Sequence, residues 1–238
     1  MWRIERDARG ELRIDANALW GIRTERARTL HPGEKLPAVI WEMLGIILRS
    51  AAMTNEDLGF LTVDRGEWIA MAATQLVEGS LAEHLLAGPA WTSAEVFDNA
   101  VEVVTNRTLE CMGGELGSGE PVHPERHVSL HLRAEAVLDL AVRMAVARRL
   151  EARWVSAYHQ LFPAMEQLLA LPDPAWGPPG WDLKFWPRVA DFGALDLRRG
   201  GDAEWRPPLG DALRAVVGEV DLNGDWPMVG TRLLGRLG

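Results

Sequence analysis

Apolar residues recur at helical spacing over residues 130–171, at Val137, Leu140, Ala141, Met144, Leu150, Trp154, Leu161, Met165 and Leu168. One side of a single helix is thereby kept hydrophobic for some forty residues, where a globular helix usually has ~10–14. A rod of that length cannot bury its own stripe. Other helices must lie along it, so the chain is constrained to a helical bundle or to an interface between subunits. Ser129 is placed to cap the start of this helix and Pro172 to end it.

The preceding segments supply candidate neighbours. Residues 2–14 alternate loosely around Ala8-Arg9-Gly10, which predicts a small β-hairpin. Residues 15–30 are mixed, and His31-Pro32-Gly33 reads as a loop. Pro37 suits a first helical turn, and Val39, Ile40, Met43, Leu44, Ile47, Leu48, Ala51 and Ala52 follow with helical period to about Asp57, with a stop at Gly59. The next stripe is Trp68, Ile69, Met71, Ala72, Leu76 and Val77, with Asp64 and Glu67 spaced as a capping box and Gly79 as the stop. A helical turn within 81–86 leads to Gly88-Pro89, and a further helix over 93–112 ends in Gly113-Gly114.

After Pro172 the stretch PDPAWGPPGWDLKFWPRVADFG, rich in Pro, Gly and Trp, reads as irregular chain that cannot be a regular helix. Its aromatics argue for order rather than a disordered linker. A short helix over 209–217 and a glycine-rich tail over 223–238 complete the expected layout.

Composition removes several classes of function. A net charge of -9 disfavours a phosphate-backbone partner, so no nucleic acid is expected. No apolar run reaches the ~18 residues of a membrane span, and the charged opening MWRIERDARGEL lacks the apolar core of a signal peptide. Cys111, the single cysteine, forms no internal disulfide, and a cytoplasmic location is expected. Lysine stands only at 35 and 184, which leaves few candidates for lysine-based catalysis.

Four segments, in order, resemble the fumarase/aspartase superfamily. RIERDARGELRIDANALWGIRTERA is similar to that family's opening, a hairpin leading to a Trp/Tyr-Gly-x-x-Thr-x-Arg element, here Trp20-Gly21-Ile22-Arg23-Thr24-Glu25-Arg26. AAMTNEDLGFL resembles its second block, VEVVTNRTLECMGGELG its Asn-Glu-Val-x-Ala-Asn helix, and PVHPERHVS its His-Pro-Asn-Asp-His-Val-Asn loop. The resemblance implies a mainly α fold. It further implies that residues 1–128 form a fumarase/aspartase-like N-terminal helical domain with a small hairpin, and that residues 129–238 form a truncated central-bundle-like region that includes the irregular segment 172–208.

In that family the active site is assembled from loops of three subunits of a tetramer. Hydroxyl and amide donors hold substrate carboxylates, and a serine on a mobile Gly-Ser-Ser loop removes a proton beside the carboxylate. This sequence departs from the pattern at each piece. Ala90-Trp91-Thr92-Ser93-Ala94 stands for the first substrate loop, and Val101 replaces the helix asparagine while Glu102 remains. Arg133-Ala134-Glu135-Ala136 stands where the second loop has Ser-Ser-Asn-Asp. No histidine follows His159 to supply the Thr-His pair, and the serine loop would lie beyond residue 238. The resemblance thus implies a degenerate, truncated relative, from which the family's elimination is not expected without other chains.

The candidate site residues admit more than one reading. His123, His127 and His131 are spaced i, i+4, i+8; an adjacent pair on a helix could chelate zinc, but the outer two would be about 12 Å apart at 1.5 Å per residue. The same histidines, with Arg126, also fit a residual anion site or a half-exposed capped loop. Thr92 and Ser93 suit either an anion at a helix N-terminus or simple capping. Arg133 reads as a changed ligand contact, an ion pair across a subunit contact, or a solvated helix start. No cofactor or metal is expected. The leading reading is a non-catalytic relative acting through self-association or through a partner, such as a full-length lyase homologue. The alternative is a lyase-like or repurposed enzyme acting on a carboxylate.

Overall fold

The computed structural model describes residues 1–152, 176–193 and 226–237. Strands β1 (Trp2–Asp7) and β2 (Gly10–Asp15) pair antiparallel, with Trp2 opposite Asp15 and Asp7 opposite Gly10. The α-helices among the described residues are α1 (Ile22–Leu30), α2 (Ala38–Asp57), α3 (Val63–Val77), α4 (Ser93–Cys111), α5 (Ala134–Ala152), α6 (Trp181–Gly193) and α7 (Trp226–Leu237). A 3-10 turn, Ala82–His84, and a π-helical turn, Pro124–Val128, interrupt the connections. The mainly α fold with one small hairpin is thus the fold that the sequence implied.

Helix α2 sits at the centre, packed against α3, α5 and α6, with Ile40, Met43, Leu44, Ile47, Leu48 and Ala51 buried. Helices α2 and α3 approach closely because position 45 is glycine. A Cβ there would lie 2.8 Å from Val77 Cγ2 and 2.9 Å from the Ala73 carbonyl oxygen. The stops at Gly59, Gly79 and Gly113 all hold positive φ, the left-handed conformation that ends a helix. One core runs continuously from Leu19 through α2, α3, α4 and α5 to Leu233 and Leu234 of α7.

Five local expectations are corrected. Helix α1 forms within the stretch that carried no periodic signal. Helix α3 starts at Val63 behind Thr62 rather than behind Asp64, because Phe60 N and Leu61 N both donate to the Asn55 carbonyl (2.8 and 3.1 Å) and turn the chain early. Asp64 falls in the first turn, where its charge suits the helix dipole. Ser129 closes the π-helical turn, its backbone N–H donating to Pro124 O at 2.8 Å, so α5 begins at Ala134. The predicted continuation of that helix past Ala152 lies outside the described residues, as does the helix expected over 209–217. Where described, α5 does not present a bare stripe: Val137, Leu138, Ala141, Met144 and Val146 are buried among α2, α4 and α7.

The largest corrections are α6 and α7, helices in stretches read as irregular segment and glycine-rich tail. Trp181, Phe185 and Val189 recur at i, i+4, i+8, and burying them outweighs the defect at Pro187. Pro187 and Leu183, whose carbonyl loses its helical partner, are both exposed, so water can satisfy that oxygen. Helix α6 docks on the C-terminal half of α2. Trp181 Nε1 donates to Asn55 Oδ1 at 2.8 Å, and the Trp181 and Phe185 rings stack with centroids 4.2 Å apart. Arg188 Nη2 and Lys184 Nζ donate to Asp57 Oδ2 at 2.6 and 3.2 Å. In α7, Leu233 and Leu234 are buried and the helix lies along α5.

Two outcomes follow for the α2–α6 contact. Trp181→Ala should cost about 3–5 kcal/mol in urea unfolding, and Trp181→Phe about 1–3 kcal/mol by leaving Asn55 Oδ1 unpaired. The Arg188 and Lys184 hydrogen bonds hold the Asp57 carboxyl below its usual value. A depressed folded-state value stabilises above the unfolded aspartate's ~3.9 and is lost as pH falls through the folded-state value. Acidification below about pH 4 should therefore loosen α6, read by tryptophan fluorescence, and Asp57→Asn should flatten that dependence.

Candidate functional site

The first turn of α1 has no capping side chain of its own, since Gly21 occupies the cap position. Its orphan N–H groups are taken up by two distant carboxylates instead. Glu102 Oε2 accepts from Gly21 N (2.8 Å) and Thr24 N (3.1 Å), and its Oε1 accepts from Arg23 N (2.9 Å). Glu5 Oε2, from the hairpin, accepts from Ile22 N at 2.8 Å. All four N-terminal donors are thus satisfied, and the negative charges face the positive end of the helix dipole. Glu102 is buried; burial pushes its pKa up, against the hydrogen bonds from Thr24, Arg23 and Gly21.

One turn further along α4, Asn106 clamps two more segments. Its Nδ2 donates to Leu19 O and its Oδ1 accepts from Gly117 N, both at 2.8 Å. Glu102 and Asn106 lie at i, i+4 and so share one face of α4. From the same α1 turn, the Arg23 guanidinium reaches out to Asp98 on α4 (3.0 Å) and to Glu125 in the π-helical turn. Its pairing with Glu125 lowers that carboxyl's pKa, while burial raises that of Asp98. The hairpin, α1, α4 and the loop carrying His123 are thereby tied into one polar network.

The three histidines serve three local roles. His123 Nδ1 accepts from the backbone N–H of Glu125 (3.1 Å) and Arg126 (3.4 Å), closing the π-helical turn that Pro124 opens. His127 Nδ1 accepts from His123 N at 2.8 Å. His131, at φ +68°, meets Phe60 and Trp181 edge-on with centroids 4.9 and 6.2 Å away, and its Nε2 is buried without a hydrogen-bond partner. Burial lowers the pKa of both His127 and His131, aided for His127 by Arg65 and Arg126. Among the described residues no group of three His, Cys, Asp or Glu side chains is arranged to hold a metal.

The remaining candidates stand apart from these rings in their contacts. Arg126 is exposed and pairs with Glu120 at 3.3 Å. Arg133 is exposed at the head of α5, its carbonyl accepting from Val137 N at 2.9 Å. Thr92 forms a capping box for α4: its Oγ1 accepts from Glu95 N (3.3 Å), and Glu95 Oε2 accepts from Thr92 N (2.8 Å). Ser93 is the first residue of α4 and, with Thr92, lines a cavity. Reading the candidate residues one at a time missed Glu5 and Asn106 altogether. The motif containing Glu102 and Asn106 was the available signal; nothing local marked Glu5.

No family model matches the chain. It is 34% identical over 170 residues to a class II fumarate hydratase of Brucella suis biovar 1 (strain 1330), covering 70% of this chain and 35% of that protein. It is also 32% identical over 171 residues to the mitochondrial fumarate hydratase of Rhizopus oryzae, covering 69% and 34%. A fumarate lyase:delta crystallin structure from Brucella melitensis superposes with a TM-score of 0.76 at 18% identity, over 91% of this chain and 62% of that one. The chain belongs to the fumarase/aspartase superfamily. A class II fumarase structure from Schistosoma mansoni matches with a TM-score of 0.60 at 20% identity, over 71% of this chain and 36% of that one. The chain spans about a third of the length of the curated fumarase relatives it matches. Within the superfamily pattern, Glu102 and Asn106 are matched residues, and here both hold the opening segment in place.

Glu102→Ala should leave three N–H groups of the first α1 turn without their carboxylate, two of them buried, and lower stability by about 2–4 kcal/mol. Amide exchange at Arg23 and Thr24 should accelerate more than exchange in α2, which distinguishes loss of the α1 cap from general loosening.

Proposed function

We propose that this chain is a non-catalytic fumarase/aspartase relative that acts by binding, either to further copies of itself or to a partner chain such as a full-length lyase homologue. The observation that carries this reading is the use made of the loop positions where the family handles substrate. The backbone N–H groups of Glu125 and Arg126 are already bound by His123 Nδ1, Thr92 is engaged with Glu95, and Arg133-Ala134-Glu135-Ala136 opens α5. Donors so committed support the scaffold rather than a substrate carboxylate.

The hairpin supplies a surface for such contacts. Trp2 and Ile4 lie two residues apart on one strand face at 65% and 64% exposure, an adjacent apolar pair open to solvent. No helix among the described residues is long and apolar enough to cross a membrane.

A second reading, an active lyase-like enzyme on a carboxylate substrate, draws on the 34% identity to class II fumarate hydratases. The two are separated by assaying the purified chain with fumarate, aspartate and succinyl substrates, alone and mixed with a full-length homologue, alongside multi-angle light scattering. We expect no turnover by the chain alone and a stable self-assembly or mixed complex. Fumarate hydration by the chain alone that disappears in His123→Ala would establish the enzyme reading instead.

A further inference from the structure

The two strands of the hairpin differ in what their outer edges offer. Ala16 N donates to Met1 O at 3.0 Å, so residues 1 and 16 are a hydrogen-bonded pair. With Arg3 opposite Ile14 and Glu5 opposite Leu12, the odd residues of β1 therefore bond to β2. The backbone N–H and C=O groups of Trp2, Ile4 and Arg6 point the other way, and among the described residues none of them has a partner. The outer edge of β2 is closed at its Asp15 end, where the carbonyl accepts from Arg3 Nη1 (2.9 Å) and Ala18 N (3.1 Å).

An open edge is a template for another strand, and proteins commonly blunt it with proline, lysine, a bulge or inward-pointing charge. Strand β1 has no proline, lysine or bulge, since Trp2 to Asp7 pair without interruption. Its exposed apolar side chains, Trp2 and Ile4, belong to residues whose backbone is unpaired. Its inward charges, Arg3 and Glu5, form an ion pair at 2.8 Å and restrict what can be added beside them.

A second copy of β1 is one strand that satisfies this restriction. The unpaired groups require that the even residues of one copy meet the even residues of the other. Centring the antiparallel pair on Ile4 sets Trp2 opposite Arg6 and Arg3 opposite Glu5, each from a different copy. The neighbouring registers on either side set Arg3 against Arg3 or Glu5 against Glu5, and like charges directly opposite are destabilising. The charge pattern of the strand is thus complementary to its own twofold image, as an isologous contact requires.

We infer that two copies of this chain associate through the outer edge of β1, antiparallel and with Ile4 on the twofold axis, joining their hairpins into one four-stranded sheet. The Trp2 indole then lies beside the Arg6 guanidinium of the other copy, a cation–π pairing. The β2 edges left outside are closed at Asp15, which limits growth to the pair. The inference rests on the self-association branch of the proposed function and names the surface and its occupant.

The test is light scattering of the purified full chain, with cysteine cross-linking in a Cys111→Ser background. A dimer is expected. Ile4→Pro removes the central edge donor without touching the β2 ladder, and should weaken the dimer about tenfold or more. Ile4→Cys should form an inter-chain disulfide on mild oxidation, since hydrogen-bonded antiparallel neighbours stand about 5.5 Å apart. Trp2→Cys should not, because its two copies are offset by four residues, or about 13 Å. If Ile4→Pro fails to fold, the two cysteine variants decide alone. A monomeric chain, a dimer untouched in folded Ile4→Pro, or cross-linking of Trp2→Cys as fast as Ile4→Cys would each overturn the inference. A dimer that survives Ile4→Pro, or a monomer that still binds a full-length homologue, removes this edge contact and leaves the proposed function in place.

Discussion

The buried carboxylate of Glu102, pressed against the amino end of α1, is the interaction on which the N-terminal architecture rests. An isolated nine-residue helix is marginal in water, and α1 buries only Ile22, Thr24 and Ala27. What holds it is a set of backbone N–H groups that would otherwise be orphaned, three on Glu102 and one on Glu5. Because Glu5 belongs to β1 and Glu102 to α4, the same helix start fixes the hairpin onto the helical body. Arg23 then extends the arrangement to Glu125 and so to the loop that carries His123. Desolvation disfavours the ionised form of Glu102, and donors converging on both of its oxygens oppose that penalty.

Asn55 plays the corresponding part at the other end of the core. Its carbonyl turns the α2–α3 connection, its Nδ2 donates to Leu130 O at 3.3 Å, and its Oδ1 receives the Trp181 indole. A single buried amide therefore joins the second family-like block, the approach to α5, and α6. Asp57, two residues on, adds ion pairs to Lys184 and Arg188 on the solvent side of the same contact. Buried amides can serve in this way because a carboxamide both donates and accepts, so each of its partners is satisfied.

How much of this was legible depended on whether the cause was local. Helices α2, α3 and α4 announce themselves by apolar stripes and glycine stops, and Thr92 with Glu95 has the spacing of a capping box. Helix α1 has no stripe because carboxylates remote in sequence stabilise it, and no window along the chain contains them. Helix α6 was legible in the spacing of Trp181, Phe185 and Val189, but Pro187 outweighed that signal when taken as an absolute breaker. Its defect is tolerable because it faces water. The histidine spacing misled differently: i, i+4, i+8 has meaning only on one continuous helix, and a π-helical turn followed by a left-handed His131 breaks the register. Ser129 had the right chemistry for a cap and was used by the turn before α5. The roles of Glu102 and Asn106 were visible only as a family motif, which marked the residues without saying what they hold.

The docking of α6 on α2 also orders events during synthesis. Residues 38–57 emerge from the ribosome long before residues 181–193, so the groove around Asn55 waits, open and apolar, through more than a hundred residues of elongation. At about 5–20 residues per second that interval lasts several seconds or more. The chain is thus most vulnerable to association with its neighbours while it is still being made, and the tryptophans near its carboxyl half act as a late seal on a body laid down early.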